Sequence, residues 1–492
     1  MHGRTLSALF LALVLAPLAM GQPEDEMVRR SVVKIFTTSR LPNLTQPWTR
    51  QAPSDATGSG VVIAGNRILT NAHVVNYGQR ILVQPHQSSE KYEADVVAIA
   101  RGIDLAVLEL EDESFFENHP AAALSAELPR IGSTVHAIGY PLGGDALSVT
   151  AGILSRVEFT EYNNGTLGLR MQVDTPLNPG NSGGPVFSGD KVVGVVFSGI
   201  PSAENIGYVI PTDEIEMFLA DIADGSYEGN PRLFSYMQTA ENPALREKLG
   251  LGSGDTGLIV TSAPEDSLLK EWDVLEKIGE HDIDNRGMVS GPGGLRLHFG
   301  YYVPKLAESG TVPMTVIRER ERVEIALPVS ARLDLVQPAL DGAYPSYLIH
   351  GPMVFTPSYA ELAQAATRAA AVLAANGNPI IGRIGDEAEF EGEQIVVLPS
   401  PFFPHRVTRG YELGVLPVVE TINGVKVKNL THLAELIRDA EGEFIEFTFA
   451  GTTNETLVFD REQLAGATED VLSDAGIRER ASADILPIIQ GK

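Results

Sequence analysis

Between Val28 and about Asp221, short β-branched runs alternate with Gly, Asn and Pro turns: VVKIF, GVVIAG, RILTNAHVV, ADVVAIA, LAVLEL, STVHAIGYP, LSVTAGILS, LRMQVD, KVVGVVFSG and IGYVIP. Many short, closely spaced strands predict an all-β barrel or sandwich. Pro211 to Leu219 reads as a helix that closes this unit, and the turn-rich DGSYEGNP from Asp224 to Pro231 as a linker. A second unit, from about Arg232 to Val329, carries a strand at GLIVTS, a short helix near DSLLKEW, a strand at DVLEKIG and the hairpin PMTVIRERERVEIALPV. Its RERER run, Arg318 to Arg322, reads as a solvated hairpin tip that discourages edge pairing.

A third unit starts near Tyr344. It holds an alanine-rich helix, YAELAQAATRAAAVLAANG, stopped by Gly377 and Pro379. Strands QIVVLPS and LPVVETING, the helix NLTHLAELIRDA, strands FIEFTFA and ETLVFD, and a helical tail from Glu462 follow. A length of 492 residues fits this division into about three domains.

Composition narrows the partners. With 64 acidic against 37 basic residues, the formal charge is −27, which repels nucleic-acid phosphates and anionic lipid. The absence of cysteine removes disulfides, thiolate metal sites and cysteine nucleophiles. At the N-terminus, Arg4, the apolar run Leu6 to Leu15, Pro17 and Ala19-Met20-Gly21 predict a signal peptide over residues 1–21, cleaved before Gln22. An uncleaved anchor is the alternative. No later apolar run is long enough to span a bilayer. The protein is therefore expected to be exported, to a periplasm first and an extracellular space second. The acidic GDEAEFEGE, Gly385 to Glu393, lacks the spacing of a calcium loop and reads as solvated. Trp48 reads either as a loop anchor within one subunit or as a contact with a neighbouring one.

Three segments carry chemistry: TNAHVV around His73, GIDLAVLEL around Asp104 and NPGNSGGPV around Ser182. A serine becomes nucleophilic when an imidazole takes its proton and a buried carboxylate fixes the imidazole tautomer. His73 follows a strand, Asp104 opens one, and the glycines around Ser182 let the Gly180 and Ser182 N–H groups converge on one oxyanion. Each residue alone has an ordinary structural explanation. Together, in this order on an all-β scaffold, they predict acyl transfer.

GSGVVI, ILTNAHVV, DLAVLEL, IGYPLGG, VTAGILS and LNPGNSGGPVF resemble the protease domain of the HtrA/Deg family of ATP-independent serine proteases. ENIGYVIPT, PSYLIHGPMVFTP and GYELGVLPVVETINGVKVKNLTHLAELI extend the resemblance to members with two PDZ-type domains. The resemblance implies a mainly β fold: a chymotrypsin-like double β-barrel over 22–225, then two α+β PDZ-type domains over 229–332 and 340–485, the second with an insertion. It implies His73 as general base, Asp104 as orienting carboxylate, Ser182 as nucleophile, and Gly180, Asn181 and Ser182 as the oxyanion loop.

In such folds the floor of the P1 pocket lies about six residues before the nucleophile, at Pro176 beside Leu177. The opposing wall comes from Val196, Phe197, Ser198 and Gly199. No acid is present to pair an Arg or Lys, so aliphatic P1 residues are expected. Peptide capture by the first PDZ is expected at Leu233, Phe234, Ser235 and Tyr236, although this segment lacks GLGF and LLKEWDVL replaces the usual glycine-containing turn. The expected partners are unfolded polypeptides, peptide C-termini and further copies of the chain, as a trimer or a multiple of trimers. No metal or other cofactor is expected. The activity implied is protein quality control; the alternative is a peptide-binding chaperone with a resting protease domain.

Overall fold

The computed structural model describes residues 25–142, 144, 146–162, 165–199, 206–263, 267–452 and 455–491. The predicted signal peptide lies outside them.

After a short helix α1 (Asp25–Ser31), six strands close into a first barrel: β1 (Val32–Ser39), β2 (Ser54–Ile63), β3 (Arg67–Thr70), β4 (Gly78–Pro85), β5 (Tyr92–Ala100) and β6 (Leu105–Leu110), in the order β1-β2-β3-β6-β5-β4. A second barrel joins β7 (Thr134–Gly139), β8 (Ser148–Glu161), β9 (Leu167–Val173), β10 (Pro185–Ser188), β11 (Lys191–Gly199) and β12 (Gly207–Pro211), in the order β10-β11-β12-β9-β8-β7. Two of these strands escape the hydrophobic pattern. β4 carries polar residues at Gln79, Arg80 and Gln84, and β10 is only four residues long. Helix α2 (Ala72–Val75) interrupts the chain between β3 and β4. Helix α3 (Thr212–Asp221) buries Ile215 and Phe218 against Val61, Leu69 and Leu105 of the first barrel and Val195 and Ile210 of the second. Each such side chain contributes roughly 1.5–3 kcal/mol on burial, so this helix locks the barrels together.

The second unit opens with β13 (Tyr236–Thr239) and α4 (Pro243–Leu249), which the sequence pattern did not announce. Asn242 caps α4 through the N–H groups of Ala244 and Leu245, and Gly250 ends it at φ +67°. Its sheet adds β14 (Leu258–Ser262), β15 (Val274–Ile278), β19 (Thr311–Arg318) and β20 (Glu321–Pro328), in the order β13-β14-β15-β19-β20, with β16 (His281–Asp282) pairing β15. β17 (Met288–Ser290) and β18 (Arg296–His298) form a separate ribbon before α5 (Val303–Leu306).

Two expectations fail here. The described part of DSLLKEW, 267–272, is a turn rather than a helix. Trp272 sits at φ +76° and the Lys270 N–H is taken by the Asp273 carboxylate, local bonds that outcompete so short a helix. Nor is the RERER run simply solvated. Arg318 makes a bidentate pair with Asp273 (2.8 and 2.6 Å), and Arg322 with Glu276 (2.8 and 2.6 Å). Those carboxylates are buried and would be costly without their guanidinium partners.

In the third unit, β21 (Leu348–His350), β22 (Met353–Pro357) and β23 (Val396–Val397) form one sheet. A second contains β24 (Val419–Ile422), β25 (Val425–Lys426), β26 (Phe444–Phe449) and β27 (Leu457–Asp460), in the order β25-β24-β26-β27. The alanine-rich segment is not one helix. It divides into α6 (Ala360–Ala366) and α7 (Ala370–Ala375) around a tighter turn, where the Thr367 hydroxyl donates to the Gln364 carbonyl at 2.6 Å. α8 (Pro379–Gly382), α9 (Leu430–Arg438), α10 (Arg461–Asp474) and α11 (Leu486–Ile489) complete the unit. In the acidic loop, Arg383 pairs with Glu393 at 2.5 Å. Trp48 packs within the chain, 5.5 Å from the Phe403 ring centroid and 6.4 Å from that of Tyr347. Among the described residues, no helix is long and apolar enough to cross a membrane.

The second unit docks on the barrels beside α3. The Tyr301 hydroxyl donates to Asp213 Oδ2 at 3.0 Å, and Lys305 pairs with Asp213 Oδ1 at 2.8 Å. Neighbouring Glu214 is fully buried and accepts the Leu169 N–H. Burial, with the Asp213 charge beside it, pushes its carboxyl from 4.5 up to about 8. An unfolded chain releases this proton near 4.5 whereas the fold keeps it, so stability falls as pH rises through that window and levels off above about 8. Glu214→Gln should flatten this slope. Thermal midpoints of the two proteins, followed from about pH 5 to about pH 9, should diverge steadily, the wild type losing more; parallel curves would contradict the assignment.

Candidate active site

The first barrel supplies two of the three sequence-predicted residues. His73 lies on α2, immediately after β3, with its side chain half exposed. Its Nδ1 is 2.6 Å from Asp104 Oδ2, and its backbone N–H donates to Asp104 Oδ1 at 2.8 Å. Asp104 is 2% exposed and adopts φ +59°, a left-handed backbone that places its carboxylate under α2 as β6 begins. Such a conformation costs a non-glycine residue about 1–2 kcal/mol. Here the two bonds to His73, and a third from Asn71 Nδ2 to the Asp104 carbonyl (2.9 Å), offset it.

Ser182 comes from the second barrel, on the loop between β9 and β10. The Ser59 N–H of β2 donates to the Ser182 carbonyl at 2.8 Å, pinning this loop against the first barrel. Gly183 permits the approach: at φ +81°, an added Cβ would lie 2.3 Å from the Ser59 carbonyl oxygen and 2.4 Å from Thr70 Oγ1. Gly58 marks the convergence of the two segments, since a Cβ there would meet Val74 of α2 at 2.7 Å and the Ser182 carbonyl at 3.3 Å. The Ser182 hydroxyl and the His73 imidazole are not hydrogen-bonded to each other, as is common in ligand-free sites.

The loop's conformation is fixed by bonds from both barrels. The Leu142 N–H takes the Pro179 carbonyl (2.8 Å), turning it away, and Gly180 adopts φ +99°. The Ser59 hydroxyl, fully buried, donates to the Gly180 carbonyl and accepts the Tyr140 N–H, both at 2.8 Å. Among the described residues, the N–H groups of Gly180 and Ser182 have no backbone acceptor, whereas that of Asn181 is spent on the Asn178 carbonyl. Asn181 therefore shapes the loop rather than adding a third donor. Sequence reading missed Ser59, Asn71 and the bridging role of Tyr140. The signals were present in GSGVVI, TNAHVV and IGYPLGG, but a buried hydroxyl that joins two barrels has no one-dimensional signature.

The predicted pocket residues divide. Leu177 lies over Gly207, whose missing Cβ would fall 2.3 Å from Leu177 Cδ1, and Pro176 beside it is exposed. Val196 is buried in the second-barrel core with Leu177, Val173 and Val209. Phe197 does not belong to that wall. Strand alternation turns its ring to the opposite face, 5.2 Å from the Tyr162 ring centroid, with Arg170 over it. Ser198 and Gly199 pair through β11 with Tyr208 and Gly207. Of the predicted PDZ loop, Leu233 packs into the second unit's core, and Arg232 lies over Phe234 at 4.8 Å. Ser235 leads into exposed Tyr236, the first residue of the edge strand β13.

Two closed barrels that share an Asp–His pair and a glycine-flanked serine loop define a chymotrypsin-type serine peptidase with two further units appended. The comparisons agree. A family model described as a trypsin-like peptidase domain matches residues 58–195, and a PDZ domain model matches residues 336–484. Protease Do-like 2, chloroplastic, of Arabidopsis thaliana is 34% identical over 471 residues, covering 94% of this chain and 76% of that protein. Protease Do-like 4, mitochondrial, of the same plant is 36% identical over 414 residues, covering 83% and 76%. A solved HtrA-type protease, AlgW with tripeptide, shares the fold at a TM-score of 0.50 and 24% identity, over 62% of this chain and 95% of that one. The chain belongs to the Do-like (Deg/HtrA) family of serine proteases. The organelles in the plant relatives' names lend no support to the periplasmic expectation.

Ser59→Ala would strand the buried Gly180 carbonyl and Tyr140 N–H without changing the loop's sequence. We expect kcat on a chromogenic peptide to fall about ten- to a hundredfold with KM altered far less, since the cost lies in oxyanion binding. An unchanged kcat would show that the hydroxyl does not hold the loop.

Proposed function

We propose that this protein is an ATP-independent endopeptidase that degrades unfolded polypeptides, cutting after aliphatic residues. The observation that carries this reading is the buried Asp104 carboxylate. It holds His73 through both its ring and its backbone N–H, beside a serine loop with two unspent N–H donors.

In the reaction, Ser182 Oγ attacks the scissile carbonyl carbon while His73 Nε2 takes the hydroxyl proton. Asp104 holds the Nδ1–H tautomer and stabilises the imidazolium that forms. The N–H groups of Gly180 and Ser182 receive the oxyanion. The imidazolium returns its proton to the leaving amine, and the C–N bond breaks to leave an acyl-serine. Water, deprotonated by the same imidazole, then attacks the acyl carbon and restores the Ser182 hydroxyl. Leu177 against Gly207, with no acid at position 176, supports a shallow apolar P1 pocket.

The same reading includes a peptidase unit over 22–225, PDZ-type units over 229–332 and 340–485 that bind peptide or regulate cleavage, export directed by the predicted signal peptide, and assembly as a trimer or multiple of trimers. A second reading draws on the unmade Ser182–His73 hydrogen bond: a peptide-binding chaperone whose peptidase rests until activated.

Wild type should digest casein and Ser182→Ala should not. Protection of an unfolded client by both, with cleavage by neither, would favour the chaperone. Peptides with Val or Leu at P1 should be turned over faster than their Arg or Lys counterparts by about tenfold or more, and the reverse order would overturn the pocket assignment.

A further inference from the structure

Where the three units meet, the chain surrounds a cavity of about 360 Å³. Its walls come from the second barrel and α3, from the connection at 227–233, from 298–304 of the second unit and from the segment at 331–341 that leads to the third. Phe159, Leu167, Met217, Leu233, Phe299 and Val303 give it a largely apolar surface. Cavities of this size and lining, set between domains, are where proteins hold small ligands. Among the described residues, β13 contributes none to the lining, so a peptide strand added to that sheet edge would not fill the cavity.

The polar groups that converge on it are short of acceptors. Arg232 is held by an antiparallel bridge to Ser330, and one terminal nitrogen donates to the Gly165 carbonyl at 2.7 Å. Its Nε is buried and, among the described residues, has no hydrogen-bond partner. A buried, charged donor left unmatched marks a missing acceptor. Arg332 adds a second positive charge, anchored on the Glu228 and Tyr227 carbonyls. Glu214 lines the same cavity: its Oε1 takes the Leu169 N–H, while Oε2 has Asn230 Nδ2 at a marginal 3.4 Å. Its carboxyl keeps a proton to about pH 8, so at neutral pH it brings an O–H donor rather than a negative charge. His298 accepts the Gly300 N–H on Nδ1 (3.2 Å), which leaves the proton of the neutral ring on Nε2. Of the other acids in the lining, Asp341 is paired with Arg101 at 3.2 Å and Glu228 is exposed.

We propose that this cavity binds a small carboxylic acid as its anion, with an aromatic or branched aliphatic body among Phe159, Met217 and Phe299 and its carboxylate on Arg232. One carboxylate supplies the acceptor that Arg232 Nε lacks and a partner for the Glu214 hydroxyl. The bound acid touches α3, the 227–233 connection and the second unit together, so its concentration governs how firmly that unit is docked. The site takes no part in the proposed cleavage reaction, and its test needs no peptidase activity.

The probe is hydrocinnamate, titrated by calorimetry into the full chain at neutral pH. Saturable binding at one site with Kd below about 1 mM is expected. Hydrocinnamamide, of the same shape without the charge, should bind about tenfold more weakly or worse, and so should hydrocinnamate to Arg232→Met. Met217→Trp, which fills the cavity and leaves the guanidinium in place, should abolish binding. No saturable heat at millimolar acid, equal binding of acid and amide, or full binding to folded Met217→Trp would each overturn the proposal. If a variant fails to fold by circular dichroism, the acid–amide comparison on the natural chain still decides. An N-acetylated peptide ending in phenylalanine separates a free acid from a chain end. Failure to displace hydrocinnamate supports the free acid, and displacement at equal concentration assigns the cavity to chain ends and overturns the proposal.

Discussion

The buried carboxylate of Asp104 is the constraint around which the peptidase unit is arranged. An anion with 2% exposure is tolerable only with good partners, and both of its oxygens are taken by His73. That geometry forces Asp104 into the left-handed region and fixes where β6 must start. Asn71 holds the same residue from the other side. Arg101, three positions before Asp104, donates from Nε to Asn76 at the end of α2 (2.9 Å). The two chain segments bearing His73 and Asp104 are thus tied at both ends before any substrate arrives. Orientation fixed in advance is what converts binding into rate. The third unit rests on the same tie: Arg101 also donates to the Asp341 carbonyl at 2.7 Å, and a Cβ on Gly342 would fall 2.0 Å from its guanidinium.

Buried acids in this chain meet three different fates, and partner geometry decides which. Asp273 and Glu276 each receive a bidentate arginine from the β19–β20 hairpin. Asp104 has an imidazole and a backbone N–H instead. Glu214 has a backbone N–H, from Leu169, but no cation of its own: its nearest charges are another acid, Asp213, and a lysine that Asp213 already holds, so burial keeps it protonated to about pH 8. The first two arrangements secure geometry. The third makes the junction between the barrels and the second unit responsive to pH.

How much of this was legible in the sequence follows from what each feature depends on. Strands buried on at least one face announced themselves, as did the three chemical segments, because periodicity and glycine placement are local properties. Strand β4 and helix α4 did not, since polar β4 positions and a helix with no fully buried residue carry little pattern. Phe197 was placed on one wall with Val196, whereas neighbouring residues of a strand face opposite ways. The arginines of RERER looked solvated because their partners lie more than forty positions away, at Asp273 and Glu276. Ser59 failed for the same reason: its acceptor, Gly180, is 121 residues distant.

Tyr347 is held from two sides. Its backbone holds Ser482 of the tail, while its ring faces Trp48 of the β1–β2 loop at 6.4 Å. Three residues earlier, the Tyr344 hydroxyl donates to the Arg40 carbonyl (2.8 Å), and the Arg40 N–H reaches the Tyr77 carbonyl (3.1 Å), just past the helix that carries His73. Contacts therefore run from this part of the third unit to the segment that follows the His73 helix. Continuity alone transmits nothing; coupling needs an element with two arrangements whose balance both sites bias.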